Sequence, residues 1–454
     1  MFAGFSFWRM RTHLTAASLT LLLGSTLLSS CGEVDDSGKQ ATTAPATNAK
    51  PALAAAAPAK DTPLNASVYL EYSGGMKGFV PKTTAATQPT EFQQRVGNLL
   101  TETYSNPAVA NARFYLLLKD TVREPVKFQD LLKVVQGQQD RAALGTELPD
   151  MLTTVLSRPE AARGVSVIIS DFVYGAENKA SSSQLTNLIK VALVPVRRQN
   201  LAVAVLGEVS RFEGTFHPAV ITPVTKRVLK DGHLPYYIWV VGPPAEVARY
   251  VHTILPSPAP EVQQAYFGLS FPGTPAAAVL TGLPAGSALA PTGDASISFA
   301  GATASQSLDV EDARKGSEFT VALNLRKLPV AWQQAVFLNQ NLRVQLPGGT
   351  ASLATNSARE LTAAEKNTAV LAPYTHIVRV RLGQLPAGRS QLTLSLPAPG
   401  VPAWANQWST ENDNLPGAVP HTYRLSEILA GLRATFPAEP TPVFTTTFTL
   451  ANQD

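Results

Sequence analysis

The stretch Leu70-Glu71-Tyr72-Ser73-Gly74-Gly75-Met76-Lys77-Gly78-Phe79 sets a carboxylate, a hydroxyl and an ammonium on a glycine-rich turn directly after an apolar run. Two other stretches have a related form. Gly145 and Thr146 stand just before the apolar run that opens at Leu148, and Asp171 ends the run Gly164-Val165-Ser166-Val167-Ile168-Ile169-Ser170. Oxygen-bearing side chains where strands end are suited to holding an ion or a polar ligand. The competing reading is structural. Ser73 and Asp171 then satisfy backbone groups at strand ends, and Gly74, Gly75 and Gly78 serve tight turns.

Other chemistries fit less well. Ser73 and Lys77 are spaced Ser-x-x-x-Lys, one residue longer than the acyl-transfer motif. No glycine precedes Ser73 as a nucleophile elbow requires, and Gly74–Phe79 is not a phosphate loop. The six histidines, His13, His217, His233, His252, His376 and His421, make no pair at metal-ligand spacing. Trp404, Trp408 and the polar run Ser409–Asn414 read either as a binding loop or, for the tryptophans, as caps on a sandwich core.

The elements that must carry these residues follow from hydrophobic spacing. Near-continuous apolar runs at 67–72, 112–118, 164–170, 200–207 and 235–242 predict buried strands. Helical spacing at 91–104, 128–135, 148–157, 181–196 and 243–255 falls between them. Strands buried on both faces and alternating with helices predict a doubly wound, mostly parallel α/β sheet over 65–257. Its sites are expected at the carboxyl ends of the strands. The segment 208–234 reads as a hairpin or a binding insertion before the last strand. Beyond a Pro/Ala-rich linker at 258–290, short runs alternate with period two and predict a C-terminal antiparallel β-sandwich over 291–454. The change in texture makes the two regions separable on this reading.

On that α/β pattern, an acid-x-Ser-x-x loop, then a Thr, then an Asp, in this order, resembles the metal-ion-dependent adhesion site of the von Willebrand factor type A family. The resemblance covers about 190 residues. It implies a Mg²⁺ held near-octahedrally by oxygen ligands, with Glu71, Ser73, Thr146 and Asp171 as the matching positions. It also implies a partner whose acidic group completes the metal shell. The sequence departs from the pattern twice. Glu71 stands where the family has Asp, and Gly75 where it has a second Ser, so one hydroxyl ligand is missing. The site is therefore expected to be degenerate, with Mg²⁺ weakly held or absent.

The chain has 454 residues, 45% hydrophobic and 15% charged, with a formal net charge of +4. Arg9 and Arg11 precede an uncharged apolar segment and read as the basic start of an export signal over 1–30. Without those two arginines the count is about +2, and no Lys/Arg run offers a phosphate-tracking patch. No nucleic-acid partner is expected. The one cysteine, Cys31, follows Leu28-Ser29-Ser30. This resembles the bacterial lipobox and implies a lipid on Cys31, hence a membrane as partner. With no second cysteine there is no disulfide. Residues 31–64, rich in Ala, Pro and Thr, read as a disordered tether. Gly32, not Asp, follows the cysteine, which points to the outer membrane. Glu33, Asp35 and Asp36 resemble the acidic export signal of surface lipoproteins in Bacteroidota-type bacteria, with simple solubility as the alternative. The expected function is that of a lipid-anchored envelope protein that binds a protein or a surface polymer. The alternatives are a metal-assisted hydrolase using Asp171 and Glu71, and a structural subunit of an envelope assembly.

Overall fold

The first sheet is built on Leu64–Glu71 (β1), whose side chains alternate between two apolar layers. Ala66, Val68 and Leu70 enter one layer and Tyr69 the other. From Ala66 on both faces are buried, so the strand reads as a near-continuous apolar run broken only by Ser67 before its closing Glu71. The computed structural model describes residues 62–82, 88–118, 121–122, 125–139, 142, 147–173, 182–224, 226–255, 261–269, 271, 276–280, 287–292, 297–298, 304–305, 307–310, 316–414, 421–437 and 441–452. Thr146, Cys31, the export signal and all but the last three residues of the tether expected over 31–64 lie outside them, and Leu64, expected in the tether, opens β1.

After β1 come a 3-10 turn at Met76–Phe79 and helix α1, Glu91–Ser105. Thr90 and Gln93 close a capping box at the start of α1 through bonds of 3.1 and 3.0 Å, as expected of a Thr three residues before a Gln. There follow β2 (Val109–Leu118), β3 (Thr121–Val122), α2 (Phe128–Val135), α3 (Leu148–Leu156), β4 (Val165–Ser170), α4 (Ser182–Ala192) and α5 (Val194–Arg198). β5 (Ala202–Phe216), β6 (Arg227–Gly242), α6 (Pro244–Thr253) and β7 (Gln263–Phe267) complete the sheet. Its strand order is β3-β2-β1-β4-β6-β5-β7.

The sheet is mixed, which corrects the mostly parallel expectation. β1 pairs in parallel with β2 and with β4, whereas β6 is antiparallel to both β4 and β5, and β7 to β5. Burial of both faces makes a strand apolar whichever way it runs, so composition does not reveal direction. The segment 208–234 is the hairpin alternative. β5 and β6 extend into it as strands of 15 and 16 residues, and the returning β6 lies between β4 and β5.

Helices cover both faces. α1, α2 and α6 pack with Val68, Val167, Tyr236 and Ile238 on one side. α3, α4 and α5 pack with Tyr69, Ile168, Tyr237 and Trp239 on the other. A fully buried side chain of this size contributes about 1.5–3 kcal/mol, so these two layers dominate the local stability.

The C-terminal part adds antiparallel sheets. Strands Ala276–Leu280, Glu318–Asn324, His376–Leu382 and Ala351–Leu353 run side by side in one. Arg343–Gln345, Gly388–Leu396 and Phe444–Asn452 run side by side in another. Inward residues of both sheets, among them Phe319, Val380, Leu394 and Phe448, belong to the same apolar cluster as α1 and β1. Asp61–Asp454 forms one compact unit by its contacts. The stretch read as a linker supplies β7 to the first sheet and Ala276–Leu280 to the second. Among the described residues no helix is long and apolar enough to cross a membrane.

Candidate functional site at the carboxyl ends of β1 and β4

β1 and β4 are adjacent, parallel and end together: Leu70 pairs with Ile169, Glu71 ends β1 and Asp171 follows β4. The chain leaves β1 for α1 on one face and β4 for α4 on the opposite face. Two connections that diverge in this way open a crevice at the strand ends, where ligands bind in open α/β sheets.

Glu71 is 3% exposed and its Oε2 has no hydrogen-bond partner. Burial pushes its carboxyl well above the ordinary range and the charge of Asp171 pushes further, while hydrogen bonds from Ser73 and Ser170 pull partway back. Ser73 is buried, and its Oγ accepts from the Met76 amide at 3.3 Å. Ser170 plays the matching part on β4, its Oγ accepting from the Phe172 amide at 3.0 Å. Asp171 Oδ1 accepts from the Val173 amide at 3.1 Å. Burial raises its carboxyl to about 6, against the pull of that amide and with added repulsion from Asp413. The strand-end hydroxyl and carboxylate do serve backbone groups, as the structural reading expects. They also leave a buried carboxylate oxygen unanswered.

The backbone after Asp171 is strained. Phe172 adopts φ 53°, a left-handed conformation that bulky residues rarely take. Its ring is buried, stacked on Tyr237 at 5.5 Å and edge-on to Trp239 at 5.0 Å. Those contacts hold the turn and so aim Asp171 into the crevice.

The chain does turn at Gly74 and Gly75, but the turn does not need glycine at 75. Gly75 sits at φ −65° and ψ −39°, open to any residue. A Cβ on Gly75 would lie 3.5 Å from both Asp171 Oδ2 and Ser73 Oγ, ordinary contact distances. The position that the resemblance fills with a second serine therefore faces the other site groups. Gly78 is different. A Cβ there would come within 2.2 Å of the Phe212 ring, so the close approach of β5 requires glycine.

Sequence reasoning missed Asp413 as a site group. It is 6% exposed and arrives from the far C-terminal part. Its Oδ2 and Oδ1 accept from the Ala219 and Val220 amides at 2.8 and 3.1 Å, beyond the end of β5. Asn414 adds bonds from its amide to the Val220 and Val224 carbonyls at 2.7 and 2.5 Å and accepts from Arg227 Nε at 2.9 Å. The polar run Ser409–Asn414 thus fastens the tip of the β5–β6 hairpin near Asp171. The tryptophans cap the first sheet, not a sandwich core: Trp404 donates to the Gln264 carbonyl of β7 at 2.9 Å, and Trp408 packs edge-on to Tyr237. The polar composition of 409–414 was the available signal, but nothing local says which sheet it reaches.

Of the four positions singled out, Glu71, Ser73 and Asp171 stand together. These three supply two carboxylates and one hydroxyl, the place facing them at Gly75 carries no side chain, and Thr146 lies outside the described residues. Among the described residues no group of three or more His, Cys, Asp or Glu could hold a metal ion. Three oxygen-bearing side chains are fewer than the near-octahedral shell Mg²⁺ demands. Compared with protein-family models, curated proteins and solved structures, the chain gives no match.

Proposed function

We propose that this chain is a lipid-anchored protein of the bacterial envelope whose α/β part is a binding module of von Willebrand factor type A kind, with a degenerate adhesion site. The two C-terminal sheets act as a β-sandwich support, and the partner is a protein or a surface polymer. One observation carries the reading: Glu71, Ser73, Gly75 and Asp171 face one crevice at the ends of two parallel strands whose connections diverge. A crevice of that form binds ligands in α/β sheets generally. Lipid on Cys31 is expected to hold the module at the outer membrane.

The residues derive their behaviour from burial. Glu71 and Asp171 hold protons more tightly than free carboxyls, so the crevice carries less negative charge than its composition implies. A neutral or hydrogen-bonding group on a partner suits such a crevice better than a cation does.

Calorimetric titration of the full chain with Mg²⁺ and Mn²⁺ tests this. Wild type should bind poorly. Glu71→Asp with Gly75→Ser should gain affinity, because the new hydroxyl falls beside Asp171 and Ser73 and the shorter acid leaves room for a bridging water. Each change alone should gain less. Tight binding by wild type that is lost in Asp171→Ala refutes the degenerate site. No binding by the double variant refutes the family reading.

A further inference from the structure

At the opposite end of the first sheet the side chains change character. On the face that carries Tyr69, Tyr115 and Ile168, the next row toward the strand starts is Arg113, Ser67 and Ser166, in register across β2, β1 and β4. Beyond it stand Asn111 and Asn65, joined by a side-chain hydrogen bond of 2.8 Å. The 3-10 turn Pro159–Ala162 and the residues after it close one side. Together they wall a cavity of about 300 Å³, lined by Asn65, Ser67, Asn111, Arg113, Glu160 and Arg163 among others. That volume lies at the small end of small-molecule sites.

Charge here is unbalanced. Three guanidiniums, of Arg113, Arg158 and Arg163, face one carboxylate, that of Glu160. Glu160 Oε1 is shared between Arg113 at 3.4 Å and Arg158 at 3.6 Å, both long for charge-assisted contacts. Arg163 has no carboxylate partner among the described residues. Arg158 also lies 5.0 Å from the centre of the Tyr115 ring, itself stacked on Tyr69 at 4.7 Å. Three buried polar atoms in this neighbourhood lack a hydrogen-bond partner: Ser166 Oγ, Arg158 Nε and Glu160 Oε2. A cluster that served stability alone would satisfy such atoms, because leaving them unpaired is costly.

We propose that this cavity binds a small hydroxylated oxyanion of the acidic-sugar class. Arg163, with no carboxylate partner among the described residues, and Arg113, held to Glu160 only by the long 3.4 Å contact, grip the anionic group, since guanidinium forks match carboxylate and phosphate oxygens. Ser67 and the Asn111 amide supply partners for ligand hydroxyls. The surplus of positive charge selects the anion, and the amide and hydroxyl lining selects a carrier with hydroxyls. The cavity shares no residue with the crevice at the other end of the strands, so the two assignments stand or fall separately.

The test is calorimetric titration of the full chain with glucuronate, glucose and inorganic phosphate at low ionic strength. Glucuronate should bind saturably, at about millimolar Kd or tighter, and more tightly than either other probe. Arg113→Gln with Arg163→Gln should weaken it at least about tenfold. Both arginines are exposed, so the fold tolerates the change, and circular dichroism checks it. Arg389→Gln, exposed and on the C-terminal sheet, should bind like wild type. Equal binding of glucose overturns the anion assignment, and equal binding of phosphate overturns the sugar assignment. Saturation by none of the three, or unchanged glucuronate affinity in the double variant, overturns the site.

Discussion

Asp171→Asn changes one atom in the crevice and should alter how stability depends on pH. Its carboxyl rises from an ordinary 3.8 to about 6 in the folded chain, chiefly by burial. The folded state thus binds the proton more tightly than the unfolded state. Between about pH 4 and 6 unfolding releases a proton, so this group's contribution is greatest below the unfolded value, falls as pH rises through about 6 and then levels. At ~1.4 kcal/mol per tenfold change in proton affinity, the rise amounts to about 3 kcal/mol. Asp171 is only half-buried as a whole residue, so solvent screening reduces this to the order of 2 kcal/mol. Asn resembles the protonated acid and keeps an oxygen for the Val173 amide. Urea unfolding at about pH 4 should therefore show variant and wild type nearly equal, and at about pH 7.5 the variant more stable by ~2 kcal/mol. Glu71→Gln should act in the same direction, since Glu71 is raised too. A wild-type-to-variant difference independent of pH, or a variant less stable at neutral pH, would refute the claim that Asp171 is held against its charge by burial.

Three other outcomes follow from the packing and the leader. Gly78→Ala should lower stability by about 1–3 kcal/mol in urea unfolding, because its Cβ meets the Phe212 ring at 2.2 Å and Phe212 is itself pinned against Phe79; an unchanged midpoint contradicts the close approach. A fragment of residues 60–257 loses β7 and the Trp404 and Asp413 contacts, so it should show a molten near-ultraviolet spectrum, and a cooperative melt like that of the full chain would instead support the separable-domain expectation. Cys31→Ala should leave the protein soluble or as an uncleaved precursor in cell fractionation, whereas a processed, membrane-bound variant would refute the lipid anchor.

The strands and helices were legible because each is buried on defined sides. The apolar run at 67–72 had to be a strand whichever neighbour it found, and it forms most of Leu64–Glu71, while the helical spacing of 128–135 matches α2 residue for residue. Glu71, Ser73 and Asp171 were legible for a related reason: a polar group ending an apolar run has few places to go but a strand end. Direction and partnership were not legible. Whether β6 lies parallel to β4 or folds back between β4 and β5 depends on a hairpin whose strands are equally apolar in either arrangement. Asp413 is about 240 residues from Asp171 along the chain, and nothing local to 409–414 encodes that it fastens the β5–β6 hairpin. The polar row Arg113, Ser67 and Ser166 exists only once β2, β1 and β4 are in register, since three single residues on three strands form no motif. Periodicity reports what each segment must bury, and that is fixed by neighbours along the chain. Which segments meet, and so which side chains share a crevice, is fixed by how the buried faces close on one another.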